Sequence, residues 1–355
     1  MTASVSHPSP RRILIVRLSA IGDIIMASGL IPALRSLWPD AEMGWLAEAS
    51  NAELLRHNPR LTRLHLLPRQ RWRDFRRQGQ HRVVWCEMMA FARELREARY
   101  DLVLDLQGLL KSGVWARASG APRRIGLGSR EGSQWLMTET IPRLIGDPRI
   151  GKEYRDLAVR LGASPDSFVL DIAVPDAAHQ RATACLRDAG VTGDYAVMAP
   201  FTTRPQKHWF DDRWADLAER LSPSMTPVML GGPGDTERAR LLLARPHGRL
   251  VNLTGSTNLI ESAAIIRNAG LLIGVDTGLT HLGSAFDIPT VALFGSTLPY
   301  SDTTRHHGRV LYEPRDCSPC HRRPLCGGGF HCMKAHTVES VVEAIEHVRP
   351  TTSGS

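Results

Sequence analysis

At 355 residues, 43% of them hydrophobic and 23% charged, the chain has the length of two domains and the composition of a globular protein, not of a disordered or fibrous one. Its formal charge of +8 favours acidic partners such as phosphates, nucleic acid or an anionic membrane without choosing among them. No apolar run approaches the roughly 20 residues that span a bilayer, and residues 1–10 are polar and lack the apolar core of a signal peptide. The expectation is a cytoplasmic chain whose six cysteines stay reduced and form no disulfide framework.

In chain order, Ile13-Leu14-Ile15-Val16 is a short apolar, β-branched run of the kind buried in parallel sheets. Residues 17–23 follow as a loop. Residues 24–38 then carry Ile24, Ile25, Leu30, Ile31, Leu34 and Leu37 at helical spacing. Strands are expected at 43–46, 64–67 and 102–106, with a helix at 91–98. Between them lies a stretch rich in arginine: Arg63, Arg69, Arg71, Arg73, Arg76, Arg77 and Arg82. The alternation then restarts. Strands are expected at 195–199, 227–230, 249–253, 271–275 and 290–294, helices at 214–221, 237–244 and 259–268, and a closing helix at 338–348. Residues 350–355 read as a disordered tail, like residues 1–10. This order predicts two parallel α/β sheets, with the boundary between 170 and 195, where the chain turns polar around Val174-Pro175-Asp176. Open α/β sheets bind ligands beyond the carboxyl ends of their strands, so chemistry is expected in the loops that follow strands.

Four such loops stand out. Arg17-Leu18-Ser19-Ala20-Ile21-Gly22-Asp23 puts Asp23 near a helix start, where capping alone would explain a carboxylate and where one facing a cleft could also act as a general base. It contains no G-x-G-x-x-G, so a dinucleotide cofactor is not expected. Thr202, Thr203 and Lys207 share one loop and could supply hydroxyls and a point charge to a diphosphate. Gly231-Gly232-Pro233-Gly234 leads to Glu237, which could bond a ribose or merely complement a helix dipole. Gly274-Val275-Asp276-Thr277-Gly278-Leu279-Thr280-His281 joins a strand to a helix, and exposed N–H groups at such a start make an anion site.

This last segment resembles the signature of the ADP-heptose–lipopolysaccharide heptosyltransferases. The loop 17–23 is similar to that family's N-terminal Gly-Asp loop. Thr202-Thr203-Arg204 through Lys207-His208-Trp209, Gln70-Arg71-Trp72-Arg73 and Asp105-Leu106-Gln107-Gly108-Leu109-Leu110-Lys111-Ser112 resemble the type I enzymes, which add the first heptose to Kdo. The likeness spans residues 12–348. It implies a GT-B fold, two doubly wound Rossmann-like domains facing a central cleft. An acceptor domain is expected at 11–172, a nucleotide-sugar domain at 190–336 and a C-terminal helix at 337–349. It also implies an inverting, metal-independent transfer of heptose from ADP-heptose to Kdo-lipid A on the cytosolic face of the inner membrane. By motif, Asp23 is the base, and Thr202, Thr203, Lys207, Thr277, Gly278 and His281 hold the diphosphate. Asp276 contacts the donor sugar or orders its loop, and Glu237 holds the ribose. Arg63, Arg69, Arg71 and Arg73 are expected to bind the acceptor, and the whole stretch, with Arg76, Arg77 and Arg82, to meet the acceptor's carboxylate and phosphates and the anionic membrane surface, although charge runs are often only solvated faces.

Cys317, Cys320, Cys326 and Cys332 depart from the type I pattern and resemble the cysteine-rich segment of type II relatives and of some protein heptosyltransferases. Cys-x-x-Cys spacing suits a structural zinc or iron, with His321 and His331 as spare ligands; reduced thiols in a packed loop explain it equally well. The alternatives are a type II enzyme adding the second heptose, which a transfer assay with purified acceptors separates, and a nucleotide- or metal-binding interaction module without transferase activity. No nucleic-acid partner is expected, because aromatic interleaving in the basic stretch is thin.

Overall fold

The computed structural model describes residues 9–143, 151–299, 307–320 and 323–349. The tails read as disordered therefore lie outside the described residues, apart from Ser9 and Pro10, and so does His321. Among the described residues, those up to Ala173 form one compact unit and those from Val174 another.

The leucines and β-branched residues that open the first unit form β1 (Arg12–Val16), followed by α1 (Ile21–Ala27), α2 (Leu30–Leu37), β2 (Glu42–Glu48) and β3 (Arg63–Leu67). Then come α3 (Arg69–Arg77), α4 (His81–Glu97), β4 (Leu102–Asp105), α5 (Leu110–Ala118), β5 (Arg123–Leu127), β6 (Glu139–Ile141) and α6 (Lys152–Arg160). The strands lie in the order β3-β2-β1-β4-β5-β6, each pair parallel. Alternation along β1 divides the core. Ile13 and Ile15 pack with α1, α2 and α6 through Ile24, Ile31, Leu34 and Leu157. Leu14 and Val16 face α3, α4 and α5 through Trp72, Val84, Phe91 and Trp115.

The second unit repeats the plan. It runs α7 (Asp176–Asp188), β7 (Tyr195–Ala199), α8 (Asp211–Leu221), β8 (Thr226–Met229), α9 (Thr236–Leu243), β9 (Val251–Asn252) and α10 (Leu259–Arg267), then β10 (Leu271–Val275), α11 (Gly278–Phe286), β11 (Thr290–Phe294), β12 (Gly308–Tyr312), α12 (His331–Lys334) and α13 (Val338–Val348). Its strand order is β12-β11-β10-β7-β8-β9, again parallel throughout. Counted from its own first strand, this is the order of the first sheet read from the other edge. Each sheet therefore has one switch point, between β1 and β4 and between β7 and β10. There the order reverses, the place at which open α/β sheets bind ligands beyond their strand ends.

Three departures from the sequence reading have physical causes. The helix expected over 24–38 is two, divided at Ser28-Gly29, where Gly29 lies so close to Phe168 that a Cβ would stand 2.6 Å from its ring. The arginine stretch is mostly helical, and α4 begins ten residues before the helix expected at 91–98, at His81. Its apolar residues do not form a single buried stripe. Strands β5, β6 and β12 escaped notice because β5 opens on two arginines, β6 has three residues, and β12 is only partly buried.

Candidate active site

At the first switch point Arg17, 5% exposed, ends the run from β1. Its guanidinium donates to the Leu106 carbonyl (2.8 Å) and pairs with Asp23 Oδ2 (2.5 Å). The same oxygen accepts the Ala20 N–H at 3.0 Å, closing the first turn of α1. Asp23 therefore does cap its helix. Its other oxygen, Oδ1, has no hydrogen-bond partner among the described residues, and the side chain is 35% exposed.

The loop after β4 fixes this geometry. Asp105 is wholly buried and accepts from Gln107 N (3.1 Å), Gly108 N (3.2 Å) and Ser112 Oγ (3.0 Å). Burial pushes its carboxyl up to about 6, against those hydrogen bonds and the charge of Arg17. The Gln107 side-chain oxygen accepts Leu18 N (3.0 Å) and Ser19 N (3.3 Å), so β4's loop holds the backbone of β1's loop. Gly108 has φ +66°, and a Cβ there would stand 2.5 Å from the Leu127 carbonyl.

Glu48, at the end of β2, draws Arg69 (2.8 Å) and Lys111 (3.7 Å) together. Burial lowers the Lys111 ammonium; Glu48 opposes that shift, while Arg69 and Arg17 add to it. Of the four arginines expected at the acceptor, Arg69 thus joins this cluster. Arg71 instead pairs with Glu87 (2.5 Å) and stacks over Phe75. Arg63 and Arg73 are exposed, and neither is in an ion pair with another described residue. Glu48, Gln107 and Lys111 were given no role by the sequence reading, although two of them lie within the motif that carried the resemblance.

At the second switch point Asp276, just after β10, gathers three partners. Lys207 donates to Oδ2, Thr297 Oγ1 donates to the same oxygen at 2.5 Å, and His281 Nε2 lies 3.5 Å from Oδ1. Burial alone would raise this carboxyl; the hydrogen bond and charge of His281 and the charge of Lys207 overturn that and hold it well below the usual carboxylate range. Thr277 caps the start of α11 without a side-chain hydrogen bond, and no acidic residue occupies the first turn. The start of α11 is therefore left without a side-chain cap or an acidic neighbour, the condition under which helix N-termini attract anions. Gly274 is required beneath it, since a Cβ would meet Thr280 Oγ1 at 2.2 Å. Thr202 is half-buried and Thr203 exposed; neither hydroxyl is hydrogen-bonded to another described residue. Thr297, absent from the sequence reading, follows β11 in Gly295-Ser296-Thr297, a strand-end signal of the same kind as the others.

Glu237 stands apart. Its side chain is 71% exposed and both oxygens are taken by Arg240 (2.7 and 3.1 Å). Cys317, Cys320 and Cys326 are partly exposed and Cys332 is buried, all as free thiols. Burial raises Cys320 and Cys332, and the neighbouring cysteines add to it. Among the described residues, no three His, Cys, Asp or Glu side chains are grouped to hold a metal ion, and no helix is long and apolar enough to cross a membrane.

Comparison with known proteins decides the family. Residues 88–325 match the model of glycosyltransferase family 9 (heptosyltransferase), a span that holds the Asp105–Ser112 loop and the whole second cluster. The chain belongs to this family. Like its relatives, this family 9 member is a glycosyltransferase. It is 31% identical to lipopolysaccharide heptosyltransferase 1 of Pseudomonas aeruginosa over 315 residues, covering 87% of this chain and 86% of that one. It is 29% identical to lipopolysaccharide heptosyltransferase 1 of Escherichia coli K12 over 300 residues, 81% and 89% of the two chains. Among solved structures, Escherichia coli heptosyltransferase WaaC with ADP-2-deoxy-2-fluoro heptose superposes with a TM-score of 0.72 at 25% identity, over 94% of this chain and 99% of that one. The two doubly wound units are those of the GT-B heptosyltransferases, as the sequence motifs implied.

Proposed function

We propose that this heptosyltransferase moves heptose from ADP-heptose to a hydroxyl of Kdo on Kdo-lipid A, in the synthesis of the lipopolysaccharide inner core and with inversion at the anomeric carbon. The observation that carries the reading is the carboxylate of Asp23, held at a switch point by Arg17 with one oxygen free. Oδ1 takes the proton of the acceptor hydroxyl as that oxygen bonds to the anomeric carbon. The bond from that carbon to the diphosphate breaks, and ADP leaves with the electron pair. A single displacement of this kind inverts the centre. Charge grows on the departing diphosphate, where Lys207 and the open N-terminus of α11 are positioned to meet it. Donors fixed in advance act on that developing charge more than on the ground state. Asp276 orders this cluster through Lys207, Thr297 and His281, and Thr202 and Thr203 are assigned to the diphosphate by motif alone. Glu237 serves the ribose on this reading only by releasing Arg240.

Arg69 and Lys111 are suited to the carboxylate of Kdo, since both are already drawn toward one anion, Glu48. Of the relatives named above, the WaaC structure with an ADP-heptose analogue supports the donor, and the lipopolysaccharide heptosyltransferases support lipopolysaccharide as the class of acceptor. A structural zinc or iron on Cys317, Cys320, Cys326 and Cys332 is a separate proposal that rests on spacing alone, and no step passes through it. Incubation with ADP-heptose and Kdo-lipid A, with the product identified by mass, tests the function. A product carrying one added heptose is expected; release of ADP with no change in acceptor mass would overturn the assignment.

A further inference from the structure

One oxygen of Asp276 is held from two loops. Lys207 reaches Oδ2 from the loop that follows β7, and Thr297 reaches it from the loop that follows β11. Whatever fixes these loops to each other decides where the Lys207 ammonium stands. Two residues beyond Lys207, Trp209 is 1% exposed, and its indole N–H donates to the carbonyl of His336 at 2.8 Å. Arg213, on α8, donates to the same carbonyl and to that of Lys334. The ring of His336 bonds the other side of the site. Its Nε2 lies 2.8 Å from the carbonyl of Phe294, the last residue of β11 and three before Thr297. A carbonyl only accepts, so Nε2 carries the proton and donates. The next carbonyl, that of Gly295, accepts from Ser318 Oγ at 2.5 Å. A single residue between α12 and α13 thus joins the two loops that meet at Asp276, through its backbone to one and its ring to the other.

His336 is 5% exposed, and Trp209, Met333 and Val338 close to it in the chain or by hydrogen bond all belong to the apolar core of this unit. Burial holds its ring below the usual imidazole range, against the hydrogen bond to Phe294. An apolar side chain would fill such a place without desolvating a ring N–H, and a buried polar group is tolerated where its hydrogen bond is made. The bond to Phe294 is therefore what the imidazole supplies, and the end of β11 is what it fixes. The chemistry sets the demand for such fixing. Lysine is a point charge on a flexible stem, so the carboxylate it meets determines its position, and a misplacement of about 1 Å near a reacting group can cost about 10²-fold in rate.

We propose that His336 is a positioning residue for the transfer: by tying the loop of Lys207 to the end of β11, it keeps Lys207 and Thr297 on one oxygen of Asp276, in the arrangement that receives the diphosphate. The proposal deepens the heptosyltransfer reading, on which it rests for the ligand, and ADP binding tests it without transfer.

ADP affinity is measured by titration calorimetry on the full chain, and kcat with ADP-heptose and Kdo-lipid A. His336→Met keeps an unbranched buried side chain and deletes the donor, whereas His336→Gln supplies an amide N–H in place of the ring N–H. The methionine variant is expected to bind ADP about fivefold more weakly and to lose about tenfold or more in kcat. The glutamine variant recovers both to within about threefold of wild type. In a Lys207→Ala background, His336→Met moves neither by more than about twofold, because the two residues act as one unit; a general loss of structure would carry through undiminished. Should His336→Met not fold, Trp209→Phe deletes the donor to the His336 carbonyl and reads the same link, with an expected loss of about two- to fivefold in ADP affinity that vanishes without Lys207. Wild-type ADP affinity and kcat in His336→Met and Trp209→Phe overturn the proposal. So do losses that persist in full on Lys207→Ala, and a glutamine variant no better than the methionine one. Wild-type protein that transfers no heptose, while its ADP affinity depends on His336 and Lys207 as expected, counts against the heptosyltransfer reading and not against His336.

Discussion

Removing Asp276 should cost this enzyme more than removing either group it holds. Asp276 and Lys207 are both largely buried, with side chains 13% and 14% exposed, and Asp276 also accepts from Thr297. Asp276→Ala leaves the ammonium of Lys207 and the buried imidazole of His281 without their carboxylate, and breaking a buried pair from one side costs about 3–5 kcal/mol. At about 2–4 °C per kcal/mol for a unit of this size, the melting transition of the second unit should fall by roughly 6–20 °C. Lys207→Ala leaves Asp276 with Thr297 and His281 and should cost less, about 1–3 kcal/mol.

The double variant has no stranded charge. Its cost should fall short of the sum of the single costs by about 1–3 kcal/mol, the coupling expected of residues in one network. Scanning calorimetry of the four proteins at pH 7 measures this directly. The sign of the pH dependence is fixed as well. A carboxyl held below its unfolded value contributes in full above about pH 3.9 and loses that contribution as pH falls toward the folded value. The gap between wild type and Asp276→Ala should therefore narrow only below about pH 4. Additive single effects, or an Asp276→Ala shift under about 2 °C, would refute the claim that this cluster is a preorganised ionic network.

Asp23→Asn should keep its fold and ADP affinity while losing turnover by about 10²–10⁴-fold; near-wild-type rate at saturating acceptor would remove Asp23 as the base. Transfer should persist in excess EDTA, and strict dependence on added magnesium or manganese would contradict metal-free departure of the diphosphate. Asp105, pushed up to about 6 by burial, stays protonated longer in the folded chain than the unfolded value of about 3.9 allows. It should therefore lower stability by about 3 kcal/mol as pH rises from 4 to 6. Asp105→Asn should flatten that slope in denaturant titrations, and an unchanged slope would show that Asp105 does not titrate there. Elemental analysis of untagged, active protein should find close to one zinc or iron if the late cysteines hold metal. Less than about a tenth of an equivalent leaves them as thiols.

The fold was legible wherever a strand was buried on both faces. Tyr195–Ala199, Leu271–Val275 and Thr290–Phe294 are fully buried runs, and their apolar composition marks both ends. Strands β6 and β12 are exposed or only partly buried and β5 opens on two arginines, so they carry no such mark, whereas β3 showed through Leu64-His65-Leu66-Leu67 although it lies at an edge. The second cluster was legible for a related reason. Lys207, Asp276 and His281 each lie just past a strand, so knowing the strands places the residues. Thr297 meets the same condition. Gln107 and Glu48 were not legible, because their importance lies in what they hold: two backbone N–H groups in one case, and Arg69 with Lys111 in the other. Nor does arginine spacing show which arginine meets a carboxylate. Arg69 finds Glu48 and Arg71 finds Glu87, though they are two residues apart.

On the proposed mechanism, two sheets of one topology serve different chemistry because the helices that begin at their switch points, α1 and α11, begin differently. At both switch points a strand leads through a short loop into a helix, and either helix start offers N–H groups and a positive dipole end. In α1 the chain fills that position itself: Asp23 accepts the Ala20 N–H and neutralises Arg17, so an external anion would compete with a carboxylate already in place. In α11 the corresponding turn has no acidic residue and no side-chain cap, and the carboxylate, Asp276, precedes the helix and faces Lys207 instead. The Thr277-Gly278 N-terminus is left without a side-chain cap. On the proposed mechanism, the difference between Gly-Asp at one helix start and Asp-Thr-Gly at the other is what makes one switch point hold the base and the other receive the leaving group.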